Sequence, residues 1–154
     1  MFPSTLERVP RNTTAAVNER IRHQTERSVA DCIRRGPAAI DRRLAELDEE
    51  WDIERYLETM APTITLIGMA LGVAKNRKFL IIPVVVQSFF LQHALQGWCP
   101  PLPALRRLGV RTADEINVER YALKALRGDF EKFAAMPKKP GAGRAREAFA
   151  AVEG

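Results

Sequence analysis

Charged residues stop after Glu58, return at Lys75 to Lys78, and stop again until Arg106. The gaps hold two apolar runs, 59–74 and 79–98, separated by Lys75-Asn76-Arg77-Lys78. Run 79–98 measures about 30 Å as a helix, which matches the hydrocarbon core of a bilayer. Run 59–74 measures about 24 Å and needs either an earlier start, at Tyr56 or Leu57, or a locally thinned bilayer. The pattern predicts a two-helix transmembrane hairpin. Pro62 falls in a first turn, where proline is tolerated, and Pro83 sits where it can kink the second span. Gly68 and Gly72 form a small-xxx-small pair that permits close helix approach. Ile81, Ile82 and Val84 to Val86 also suit a strand, with a β-hairpin turning at Asn76-Arg77. No other stretch reads as strand, and a lone two-stranded hairpin is marginal.

Charged helices flank the apolar runs. Residues 1–13, with Pro3 and Pro10, read as an irregular arm. Asn12, Thr13 and Thr14 offer N-cap oxygens for a helix to Arg35. Val17, Ile21, Ser28, Val29, Cys32 and Ile33 fall near one face, with a polar gap at Gln24 and Thr25. Gly36-Pro37 closes that helix and opens the next, whose stripe is Ile40, Leu44, Leu47 and Trp51 and which runs toward Glu58. Region 14–58 is therefore a pair of amphipathic helices, cytoplasmic or interfacial. After the hairpin, 99–111 contains Pro100, Pro101 and Pro103 and reads as an extended membrane exit. Thr112 to Glu115 is a capping box that opens a helix over 112–136, with Ile116, Leu123, Leu126, Phe130 and Phe133 on one face and its end at Met136-Pro137. A flexible basic tail occupies 137–154. The fold class is an all-α integral membrane protein, a transmembrane hairpin between amphipathic cytoplasmic helices.

Charge then sets orientation and partners. Arg42, Arg43 and Arg55 precede the hairpin and Arg106, Arg107 and Arg111 follow it, against Lys75, Arg77 and Lys78 in the loop. The excess outside the loop places both termini in the cytoplasm. Trp51, Tyr56 and Trp98 fall at the interface that amphipathic aromatics prefer. The net charge of +5 and a pI near 9.6 suit anionic lipid headgroups. Basic residues are interleaved with Glu and Asp rather than gathered in a stripe, which argues against nucleic acid. The mean hydropathy of −0.21 conceals this partition. The start lacks the basic and apolar regions of a cleavable signal peptide.

No catalytic constellation stands out. Ser88, Gln92 and Gln96 recur every four residues, with His93 beside them, and are candidate intramembrane polar contacts at about 0.6 kcal/mol each. His93 is also the one position where a haem or metal ligand is conceivable, given a second ligand from another subunit or copy; no cofactor is otherwise expected. Cys99 reads as a partly exposed thiol near Arg106 and Arg107, open to redox, persulfide or lipidation chemistry. Cys32 faces the apolar side of its helix as a packed thiol; the loop Cys32 to Gly36 is faintly rhodanese-like but lacks the α/β domain such an enzyme needs. Arg127-Gly128-Asp129 falls inside a predicted helix, and Pro100 to Pro103 is an exit turn before it is a ligand for a proline-binding module.

The exit segment, Gly97-Trp98-Cys99-Pro100 followed by Gly109-Val110-Arg111-Thr112, resembles the signature of the YgaP-like transmembrane domain family, small bacterial two-helix inner-membrane proteins. The likeness covers about residues 51–112, with Gly97, Cys99, Pro100, Gly109 and Thr112 as its motif positions and Glu54-Arg55 in the place of an acidic-Arg pair before the first span. It implies a hairpin in the bacterial inner membrane. Some members are fused to rhodanese domains and many stand alone. The long charged helices here depart from that pattern. Together these readings describe a non-enzymatic inner-membrane anchor or accessory subunit that meets lipid and other membrane subunits or copies of itself; the alternative is a membrane sulfur-transfer or redox protein using Cys99.

Overall fold

The computed structural model describes residues 3–131 and 142–153. Among them every regular element is helical: α1 (Arg8–Arg11), α2 (Ala15–Arg35), α3 (Pro37–Glu49), α4 (Ile53–Ala74), a 3-10 turn (Arg77–Leu80), α5 (Ile81–Gln96), α6 (Leu102–Arg107), α7 (Ala113–Arg127) and α8 (Ala142–Glu153). The strand reading of Ile81 to Val86 is thereby excluded. Phe133, the helix end placed at Met136-Pro137 and the start of the tail, 137–141, lie outside the described residues; the tail beyond them, read as flexible, is corrected to the helix α8. Two compact units result, Met1–Gln24 with Glu50–Ile116, and Thr25–Glu49 with Asn117–Gly154.

The first unit contains the hairpin of α4 and α5. Asp52 starts α4, its carboxylate accepting from the Arg55 amide at 2.8 Å. The helix therefore begins at Ile53 rather than 59, and its 22 residues span about 33 Å, with the charged Glu54, Arg55 and Glu58 in its first two turns ahead of the apolar run. The same break corrects the reading of α3, which ends at Glu49 instead of running toward Glu58. Trp51 leaves the α3 stripe and stays exposed, with Tyr56 edge-on at 5.3 Å and the Arg55 guanidinium 4.4 Å from its ring centre. Ile53 and Leu57 take up core positions beside Val9, Cys99 and Leu102.

Close approach within the hairpin depends on glycine. A Cβ on Gly68 would lie 2.7 Å from Pro83 Cδ and 3.0 Å from Ile82 Cβ, and one on Gly72 would overlap the Leu80 side chain. Pro83 falls in the first turn of α5, where its missing N–H is not required. The outer faces are left uncovered: Leu66, Val73, Val84 and Leu91 are each at least 60% exposed. Both arms are long and apolar enough to cross a membrane, yet only 22% and 6% of their apolar windows are buried within the chain. A core helix of a water-soluble domain would be largely buried.

Two further expectations are corrected. The arm over 1–13 contains α1 and buries Val9 at 2% exposure. The exit over 99–111 is not extended, because α6 starts at Leu102 immediately after Pro101; prolines that cannot continue a helix are compatible with its first turn.

The second unit packs the later part of α2, α3, the later part of α7 and α8. Ile40, Leu44, Leu47 and Leu123 are buried there. Its centre is ionic: Glu119, fully buried, accepts from Arg43 Nε at 2.8 Å and Nη2 at 3.2 Å and from the Ser28 hydroxyl at 2.6 Å. Lys124 donates to the Val152 carbonyl at 2.6 Å. Ile33 and Leu126, expected on apolar faces, are 54% and 50% exposed.

Leu at position 68 or 72 gains up to about 1 kcal/mol of helix propensity over Gly. The steric conflict outweighs it, so Gly68→Leu and Gly72→Leu should each destabilise the hairpin by about 1–3 kcal/mol in reversible detergent unfolding. Val73→Leu, on the open face, should change it by less than about 0.5 kcal/mol.

Candidate functional site at the base of the hairpin

The last carbonyls of a helix lack partners within it. Gly97 ends α5 in the left-handed region, with φ 76°, and returns its N–H to the His93 carbonyl at 2.7 Å. Two of the remaining acceptors are met by the N-terminal arm. Arg8 Nη1 donates to the Ala94 carbonyl at 2.8 Å and Asn12 Nδ2 to the Gln96 carbonyl at 2.7 Å. The Arg8 cation also complements the negative end of the helix dipole. α1 sits so close that a Cβ on Gly97 would overlap the Arg8 carbonyl.

Arg8 carries the contact inward. Its Nη2 pairs with Glu54 Oε1 at 2.8 Å, the Glu54 carboxylate lies 3.3 Å from His93 Nε2, and His93 Nδ1 lies 3.5 Å from Cys99 Sγ. His93 and Cys99 are 1% and 3% exposed. A carboxylate beside Nε2 favours the tautomer with its proton there, which leaves the Nδ1 lone pair to accept from the Cys99 thiol. Cys99 borders an apolar groove of about 220 Å³ between the hairpin arms, lined also by Leu57, Met60, Ile64, Phe89 and Pro101.

A second network lies below. Arg106 is 1% exposed and commits all five of its N–H donors. Nε reaches the Thr13 hydroxyl at 3.2 Å, Nη1 the Val110 carbonyl at 3.1 Å and Glu115 Oε2 at 2.6 Å, and Nη2 reaches Asn18 Oδ1 at 2.9 Å and Glu115 Oε1 at 2.7 Å. Glu115 simultaneously accepts from the Thr112 amide at 2.8 Å, and the Thr112 hydroxyl accepts from the Glu115 amide at 3.2 Å, so the expected capping box forms. Burial raises the Glu115 carboxyl, but the Arg106 and Thr112 hydrogen bonds outweigh burial and hold it below the usual range. Arg111 pairs with both Glu50 oxygens, at 2.8 and 2.7 Å, and its carbonyl accepts from the Ile53 amide at 2.9 Å.

The motif positions Gly97, Cys99, Pro100, Gly109 and Thr112 all fall at this base. Gly109, with φ 90°, turns the chain out of α6. Cys99 is not partly exposed toward Arg106 and Arg107 as expected; it is buried and turned to His93. Glu54 pairs with Arg8, while Arg55 stacks on Trp51. Of the polar stripe, His93 alone enters this network through its side chain. The Ser88 hydroxyl donates to the Val84 carbonyl of its own helix at 2.8 Å, Gln92 is half-buried, and the exposed Gln96 contributes its backbone carbonyl. The cross-arm bond instead joins Gln87 Nε2 to the Thr65 hydroxyl at 2.8 Å. A mid-span glutamine facing a mid-span threonine was the available signal.

Glu54 and Cys99 meet opposite ring nitrogens of His93, so the three donors diverge. Among the described residues no group of three or more His, Cys, Asp or Glu side chains is placed to hold a metal ion. Cys32 is packed as expected, its thiol pushed up by burial. Arg127 ends α7 instead of lying within it and pairs with Asp129 at 2.6 Å and Asp41 at 2.9 Å, so the charges of the tripeptide Arg127-Gly128-Asp129 are engaged within the chain.

No family model, curated protein or solved structure matches this chain.

The folded Glu115 carboxyl titrates below its unfolded value of 4.5. Its stabilising contribution is therefore complete above pH 4.5 and is lost as pH falls below that value. Thermal melts across this range should show an acid-side decline that is shallower in Glu115→Gln. Arg106→Gln, which leaves the carboxylate facing a neutral group in a largely enclosed site, should cost about 3–5 kcal/mol at neutral pH.

Proposed function

We propose that this chain is a non-enzymatic anchor or accessory subunit of the bacterial inner membrane, with the hairpin in the bilayer and both termini in the cytoplasm. The observation that carries this reading is the exposure of apolar surface on both arms, at about 25 cal/mol for each Å² left in water, above a base closed by ion pairs. The resemblance of the exit segment to YgaP-like domains fits the same placement. Anionic headgroups suit the net positive charge. Gln87, Thr65 and Ser88 carry polar groups on a surface that lipid would otherwise cover, which favours a second copy or another membrane subunit as neighbour. The charged helices of the second unit offer such a subunit a docking surface in water.

A second reading, sulfur transfer or redox chemistry at Cys99, draws on the 3.5 Å contact between its thiol and His93. The burial of that thiol against an apolar groove weighs against small polar sulfur carriers, which have no apolar chain to seat there.

Blue-native electrophoresis after mild detergent extraction should show an assembly heavier than one detergent-bound chain, and Gln87→Leu should shift it toward the single chain. A strictly monomeric species with nothing co-purifying would contradict the accessory-subunit reading.

A further inference from the structure

A thiol, an imidazole and a carboxylate in hydrogen-bonded series are the elements of an activated nucleophile. Here Cys99 Sγ faces His93 Nδ1 at 3.5 Å, and Glu54 lies 3.3 Å from His93 Nε2. Glu54 is itself held by Arg8 at 2.8 Å, so the imidazole is fixed in both tautomer and orientation. Packing alone does not require this series: a buried cysteine is a small hydrophobe that needs no base beside it, and an ionisable side chain within an apolar span is costly to retain. The surroundings of the thiol then restrict its chemistry. Cys99 borders a groove of about 220 Å³ whose walls include Leu57, Met60, Ile64, Phe89 and Pro101, and which reaches the surface at Met60, Ile64 and Phe89, each more than a third exposed. Such walls accept a hydrocarbon chain and offer nothing to a polar substrate.

We propose that Cys99 is an acyl-accepting thiol, with His93 as its base, Glu54 as the positioning residue and the groove as the seat of a long acyl chain. The proposal rests on the hairpin lying in lipid. The donor class is a long-chain acyl thioester of coenzyme A. The Cys99 S–H proton passes to His93 Nδ1 as Sγ attacks the thioester carbonyl. The tetrahedral intermediate collapses with cleavage of the carbon–sulfur bond to coenzyme A, whose thiolate takes the proton back from His93. One thioester is exchanged for another, with no net change in redox state. The product is S-acyl-Cys99, its chain laid between the hairpin arms and covering surface that the protein leaves exposed.

The test uses full-length protein recovered from alkali-washed membranes and incubated in detergent with palmitoyl-coenzyme A or acetyl-coenzyme A. Hydroxylamine-sensitive modification is followed by peptide mass spectrometry. Palmitoyl transfer to Cys99 should exceed acetyl transfer, and Cys32→Ser should leave it intact. His93→Gln should slow transfer about ten-fold or more at neutral pH. Ile64→Trp, at a half-exposed groove position, should reduce palmitoyl transfer and spare acetyl transfer; this comparison does not depend on how well His93→Gln folds. Unmodified Cys99, equal labelling of Cys32, or rates indifferent to chain length and to Ile64→Trp would overturn the proposal. A chain absent from the alkali-washed pellet would instead overturn the membrane reading on which it rests.

Discussion

Two long helices that leave most of their apolar surface uncovered are the constraint around which the rest of the first unit is arranged. Glycines at 68 and 72 bring the arms together where side chains would hold them apart. The outward faces remain Leu, Ile, Val and Phe. The arms pair through this close packing and through the bond between Gln87 and Thr65. A polar layer closes the base of the hairpin, where charge is concentrated and largely removed from water.

Within that layer arginine does what lysine could not. Arg106 meets Thr13, Asn18, Val110 and Glu115 at once because a guanidinium presents five donors in a fixed plane. Arg8 spans the carbonyl end of α5 and Glu54 on α4 in the same manner. These contacts join the arm before the hairpin, both ends of the hairpin and the helix after it. Burying ions is costly unless every donor and acceptor is met, and among the described residues no buried side-chain nitrogen or oxygen is left without a partner. His93 and Cys99 share this enclosure but differ in character: they connect the polar layer to the apolar groove.

Features encoded over a few residues were legible in the sequence. The charge gaps located both arms, Gly68 and Gly72 marked the close approach, Gly36-Pro37 marked the turn between α2 and α3, and Thr112 to Glu115 announced a helix start. Features that depend on distant partners were not. Arg106 looked like one flanking charge among several, since Thr13 lies 93 positions away and helical periodicity carries no information at that range. Cys99 looked exposed because its covering arises from Val9 and Leu57, remote in the chain. The α3 boundary was misplaced although Asp52, directly before Ile53, is a good N-cap, because the stripe of Ile40, Leu44 and Leu47 continued in register to Trp51. Pro100 and Pro101 were read as extension, whereas proline before or within a first turn is equally compatible with a helix.

The surroundings of the hairpin can be measured directly. Nitroxide labels placed singly at Leu66, Val84 and Leu91 on the outer faces, and at Leu126 on α7 as a reference, can be compared for collision with dissolved oxygen and with a water-soluble nickel chelate in native membranes. Labels at 66, 84 and 91 should be relaxed by oxygen far more than by nickel, with the reverse at 126. Nickel access at the three hairpin positions equal to that at 126 would contradict a hairpin that resides in lipid.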